Sequence, residues 1–268
     1  MDVVRPEFVP DPSLSRAAME ALQRDIAAAA VFEDDLSFDV ASLRTDSDQR
    51  TLADAPGDAA DEAPLVAGVD QAFVDDRAVS AVVVLQDGAV VEEVTAVAPA
   101  VIPYIPGLLS FREGGAILAA FERLDHDPDV VLVDGSGRVH FREAGLATHV
   151  GVTLDVPTVG VAKNLLCGRP RASLDRKLPV GERVAIEADP DVETAAEGTV
   201  IGYAVQSRQY DSPDRHVNPL VVSPGHRVSA TTAADIVLAT ATGYKLPEPT
   251  RLADRAADAA RERVETGE

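Results

Sequence analysis

From Leu65 onward, short apolar runs alternate with helically spaced ones. LVAGVDQAF (65–73) is mostly apolar and reads as a buried strand. SAVVVLQ (80–86) and AVVEEVTAV (89–97) flank Asp87-Gly88, a pair suited to a tight hairpin turn. PGLLSFREGGAILAAFERL (106–124) has helical apolar spacing and opens on proline. VVLV (130–133) is short and wholly apolar, as a central strand is. A helix is predicted over 141–155 and a buried strand over 157–163. Two more strands are predicted over 198–207 and 219–223. Helices close the chain at 229–243, with Ser229 as N-cap and Gly243 as stop, and at 250–265. No internal repeat is present.

Ahead of this region, residues 13–30 read as an alanine-rich helix capped by Ser13 or Ser15. Residues 43–63 are polar, acidic and aperiodic, as a solvated linker is. The expected organisation is an N-terminal helix and acidic linker over 1–64, then one α/β domain over 65–268.

The chain carries 45 acidic and 24 basic residues, a net charge of −21. On electrostatics alone this argues against nucleic-acid binding. Lysine occurs only at 163, 177 and 245; every other base is arginine. Such a surface suits molar salt, where a high net charge favours solubility and the Debye length falls to about 3 Å. The charge then says little about function. One cysteine, Cys167, excludes an intrachain disulfide and fits a reducing, cytoplasmic setting. No run is long and apolar enough to suggest a membrane span, and the N-terminus lacks signal-peptide order.

Three carboxylates occupy costly positions: Asp70 inside an apolar strand, Glu113 on an apolar helix, and Asp134 at the end of VVLV. Singly, each reads as a paired or solvated acid. If the first and fourth strands are neighbours, Asp70 and Asp134 meet, and a crossing helix can add Glu113. Three such groups hold cations or protons, and hard oxygen ligands favour Mg²⁺ or Mn²⁺. After Asp134 comes G-S-G, whose Gly135 and Gly137 allow a sharp turn and a close approach. Lys163 ends a strand in a chain that has nearly abandoned lysine. His226 lies just before a helix N-cap, where it can bond a phosphate or decorate a loop. Tyr104, held between Pro103 and Pro106, is either a packed loop residue or a wedge between bases.

VAGVDQAF, PYIPGLLSFRE, VLVDGSGRVHFREAGLATHVGV, PTVGVAKNLLCG, VSPGHRVS and GYKLPEPTRLAD occur in order over roughly residues 65–254. Jointly they resemble the endonuclease V family. The resemblance implies an RNase H-like α/β fold: a mixed sheet, three antiparallel strands then parallel ones, flanked by helices. It implies Mg²⁺-dependent hydrolysis of the second phosphodiester bond 3′ to inosine in DNA repair, leaving 3′-hydroxyl and 5′-phosphate ends. The partner is inosine-containing DNA, with RNA open, and the enzyme is expected to be a monomer. By motif, Asp70, Glu113 and Asp134 resemble the metal ligands, His226 the accompanying catalytic histidine, and Lys163 the lysine near the scissile phosphate. Pro103, Tyr104, Ile105 and Pro106 resemble the strand-separating wedge. Gly135, Gly137 and His140 resemble parts of the substrate-binding loop. The acidic linker and acidic surface depart from the family pattern. A less selective nuclease of the same fold is the nearest rival, against which PYIP and DGSG speak. A non-cleaving lesion binder would need a broken metal site.

Overall fold

The computed structural model describes residues 1–43, 63–212 and 214–267. Most of the expected linker therefore lies outside the described residues. The sheet has nine strands: β1 (Leu65–Val74), β2 (Arg77–Gln86), β3 (Ala89–Pro99), β4 (Val130–Asp134), β5 (Thr158–Ala162), β6 (Arg169–Pro170), β7 (Arg183–Glu187), β8 (Val200–Val205) and β9 (Leu220–His226). Their order is β3-β2-β1-β4-β5-β9-β8-β7-β6. β1, β2 and β3 form an antiparallel meander, with Asp87 and Gly88 both at positive φ in the second turn. β4 and β5 then run parallel to β1. From β9 outward the strands return to antiparallel pairing. The mixed RNase H-like sheet is as expected, although its parallel stretch covers only β1, β4 and β5.

Alternation along the central strands sorts the core. Ala67, Val69, Val131 and Val133 pack with α2 (Leu109–Phe121) and α3 (Leu146–Leu154) on one face. Val66, Val130, Leu132, Val159 and Val161 pack with α4 (Ala230–Ala239) on the other. There α5 (Glu248–Thr266) covers β1 and β2 with small residues, Ala253, Ala256 and Ala257. α1 (Arg16–Ala29), N-capped by the Ser15 side chain, lies against α3.

Three expectations needed revision. α4 ends at Ala239, capped by Thr240, short of the expected stop at Gly243. RVAIE (183–187) forms β7 although its sequence, five residues between charged turns, gave too short a pattern to read. The helix expected over 141–155 starts only at Leu146. Residues 141–145 form a loop with Glu143 at φ 49°.

Candidate active site

The parallel register β1–β4 pairs Val69 with Val133, so Asp70 and Asp134 are the next residues on neighbouring strands. By alternation both fall on the face covered by α5. That helix approaches closely because residue 68 is glycine: a Cβ there would lie 2.0 Å from the Pro249 carbonyl oxygen. Close packing sets the Asp254 carboxyl, in the second turn of α5, against that of Asp70, whose pKa it helps to raise. Glu113 enters from α2 on the opposite face, buried and within electrostatic reach of Asp134. Lys163, just past β5, donates from Nζ to Asp134 Oδ2 at 2.8 Å.

Four carboxylates thus share one end of the sheet with a single paired ammonium. Burial, and then the negative charge of Asp134, pushes the Asp70 carboxyl up to about 8. Burial also pushes Glu113 up to about 8, against a lowering by Arg112 and with a further rise from Asp134. Lys163 is raised: burial lowers it, but the hydrogen bond and charge of Asp134 outweigh that. The cluster has more negative groups than its surroundings can neutralise, which fits a bound cation. Among the described residues no group of three or more His, Cys, Asp or Glu side chains is drawn together closely enough to hold a metal ion as it stands. An ion held here would complete its shell with water or phosphate oxygens, as Mg²⁺ does.

Beside the carboxylates opens a cleft of about 430 Å³. Tyr104, Ile105, Gly135, Ser136 and Leu146 line it together with Asp134, its one carboxylate, and Lys163. Tyr104 is 67% exposed, and Pro103 and Pro106 are exposed beside it. Ile105 instead packs on Met19, Leu108 and Phe111, anchoring the projecting loop.

His140 also lines the cleft, but its nitrogens are engaged inside the protein. Nδ1 accepts from the Arg142 amide at 3.2 Å, which leaves Nε2–H to donate to the Gly107 carbonyl at 3.0 Å. Burial pushes its pKa down to about 4, so it is a neutral brace for the PYIPG loop. Gly137 turns its backbone amide onto Ser223 Oγ at 2.9 Å. A Cβ there would meet the Pro224 carbonyl oxygen at 2.3 Å, so this glycine lets the DGSG turn lie flat on β9 rather than keeping the cleft open.

His226 does not reach this centre. It pairs with Thr158, the first residue of β5, whereas Lys163 follows the last. Five residues of strand separate the two levels, about 16 Å. The His226 side chain is 0% exposed. Its Nδ1 accepts from Val31 at 3.1 Å, which leaves Nε2–H to donate to Asp155 Oδ1 at 3.1 Å. The residue that sequence reasoning missed is Asp254. Its signal lay within GYKLPEPTRLAD, but on a surface-like amphipathic helix one more acid is indistinguishable from a solvated one. Cys167 is buried and its thiol pushed up to about 12, as expected of an inert core residue.

A mixed sheet that sets Asp70, midway along β1, beside Asp134, the last residue of β4, next to an open cleft is the architecture of a nuclease of the RNase H-like class. The family model for endonuclease V matches residues 49–255. The chain is 70% identical to endonuclease V of Haloarcula marismortui over 267 residues, 98% of either protein. A crystal structure of the endonuclease V from Streptomyces avermitilis is 30% identical, with a TM-score of 0.73, covering 99% of this chain and 100% of that one. The fold is also that of a Ciona intestinalis endonuclease V solved with a 24mer DNA containing an inosine (23% identity, TM-score 0.67, 92% of this chain, 98% of that one). The chain belongs to the endonuclease V family, nucleases acting on phosphodiester bonds. No helix among the described residues is long and apolar enough to cross a membrane.

Proposed function

We propose that this protein is a Mg²⁺-dependent endonuclease that cuts the second phosphodiester bond 3′ to inosine, leaving 3′-hydroxyl and 5′-phosphate ends. The observation that carries the reading is the under-neutralised carboxylate cluster, which reaches through Asp134 a cleft also lined by an exposed, proline-stiffened tyrosine. The relative solved with inosine-containing DNA supports the choice of base. We assign catalysis to residues 65–268 acting as a monomer in a reducing cytoplasm, with residues 1–43 buttressing α3 and the PYIPG loop.

Asp70, Glu113, Asp134 and Asp254 would hold the cation, which when bound would supply activation of water and relief of charge at phosphorus and the leaving oxygen. Lys163 sits where an ammonium can follow the scissile phosphate while staying tethered to Asp134. Tyr104, with Pro103, Ile105 and Pro106, enters the base stack and favours extrusion of the lesion. The extruded base occupies the cleft, where the backbone at Gly135 and Ser136 can read the N1–H donor and O6 acceptor of hypoxanthine. A mismatched inosine costs less to unpair, which adds selectivity before any contact forms.

The test is single-turnover nicking of inosine and adenosine duplexes, and of inosine-containing RNA, in molar KCl with Mg²⁺ or EDTA. The reading predicts Mg²⁺-dependent cuts one nucleotide beyond the inosine's own 3′ bond. Equal cutting of adenosine duplex would assign a less selective nuclease; binding without cutting would assign a lesion-binding module.

A further inference from the structure

The chain keeps three lysines, at 163, 177 and 245; the fold sets Lys245 within electrostatic reach of Lys163, and Lys177 bonds the β8–β9 loop. Lys163 is held by Asp134. Lys245 lies in the turn before α5, half-buried, where burial and then the charge of Lys163 lower its pKa. Among the described residues it has no carboxylate partner. In a protein of net charge −21, a half-buried cation facing another cation calls for an anion from outside.

The same edge continues into the β8–β9 loop. Val205 pairs with Leu220, and Val221 pairs with Ala162, so this loop leaves the sheet at the level of Lys163. Ser207 in the loop donates its hydroxyl to the Lys245 carbonyl, tying the two segments together. Next in sequence is Arg208, whose guanidinium lies 5.4 Å from the Tyr210 ring centroid, with Arg215 at 4.1 Å from the same ring. Neither arginine has a carboxylate partner among the described residues. Lys177 fixes the loop by donating to the carbonyls of Tyr210 and Ser212, each at 2.6 Å. Asp211 and Asp214 share the loop, so its cations act locally rather than through net charge.

We propose that Lys245, continued by Arg208 and Arg215, binds the sugar–phosphate backbone flanking the cleaved bond. This rests on the nuclease reading above and adds a contact outside its carboxylate centre. An ammonium suits a phosphate as a point charge, and an arginine-flanked tyrosine suits the adjoining sugar and base. Direct contacts of this kind persist in molar salt, where a Debye length of about 3 Å removes long-range attraction.

The test compares wild type, Lys245→Gln, Lys245→Arg and the Arg208→Gln/Arg215→Gln double variant on inosine duplexes. Each duplex carries one uncharged methylphosphonate at a different position near the lesion. Lys245→Gln is expected to raise the half-saturating enzyme concentration at least fivefold, with the larger effect there than on maximal rate. Lys245→Arg should recover most of the loss. One methylphosphonate position should reproduce the loss in wild type and make wild type and Lys245→Gln equal. A thermal midpoint unchanged by the substitution separates binding from folding. A Lys245→Gln protein that matches wild type on every duplex overturns the proposal. So does a loss that is the same whichever phosphate is neutralised. Wild type that leaves the unmodified inosine duplex uncut would overturn the nuclease reading instead.

Discussion

The two ends of the central strands use the same residue types to opposite effect. At the end that carries Asp134, Asp70 and Glu113 are pushed up to about 8, and one lysine serves four acids. At the other end, Asp155 accepts from His226, from Arg227 at 2.7 Å and from Arg5 at 3.0 Å. Despite some burial, those hydrogen bonds hold its carboxyl below the usual range. Arg227 also pairs with Asp35, and Asp34 accepts from the Ser229 amide, so the N-terminal segment is fastened to this end. The second cluster is complete as it stands. The first lacks positive charge, and that deficit is why we propose it as the working end.

The largest expected effects break this contrast directly. Asp70→Ala, Glu113→Ala and Asp134→Ala should each lower single-turnover nicking by at least about a thousandfold, near 4 kcal/mol in barrier. Their folds should survive, because each substitution relieves repulsion. A variant that keeps the wild-type rate at saturating Mg²⁺ removes that residue from the centre. His226→Ala should behave in the reverse way. It leaves Val31 and Asp155 with unmet partners, at a cost of about 1–3 kcal/mol. Its thermal midpoint should fall while nicking per folded molecule stays within a few-fold of wild type.

Next in size is the pH dependence of the metal-free protein. Glu113 has a folded pKa of about 8, above the ordinary carboxylate value, so the folded state binds its proton more tightly. Stability from this group is therefore present at low pH and lost as pH rises toward 8, then levels off. Relative to wild type in EDTA, Glu113→Gln should gain several degrees in midpoint at pH 8 and little at pH 4–5. A difference that does not change with pH contradicts the deficit at this end. Smaller still is Tyr104→Ala. A wedge acts on unstacking, worth a few kcal/mol per step, so the loss should be larger on duplex than on single-stranded inosine substrate. Equal losses would make Tyr104 a packing residue.

Much of this was legible in the sequence because strand-end acids are costly unless used. VVLV followed by Asp134, and Asp70 within an apolar strand, announced themselves by burial. The β1–β4 register then made the two carboxylates neighbours. His226 was assigned to the centre by motif alone, and an isolated strand does not state which way it runs. β9 is antiparallel to β5, and that single reversal moves its last residue to the far end. Asp254 was invisible because only the close seat of α5 on Gly68 turns a helical surface acid into a site residue. Gly137 was legible as an obligatory glycine, but sequence could not say whether its missing side chain makes room for a base or for β9. Gly137→Val should now disturb the whole DGSG turn rather than fill the cleft.

That one end of the sheet is built to hold a cation is tested most directly by thermal midpoint against Mg²⁺ concentration in molar KCl. Wild type should rise with Mg²⁺ and saturate, since an ion that binds only the folded state stabilises it by mass action. His226→Ala should start lower and rise by the same increment. Asp134→Asn should start at or above wild type and stay flat. A rise retained in Asp134→Asn, or lost in His226→Ala, would place the cation elsewhere and contradict the account.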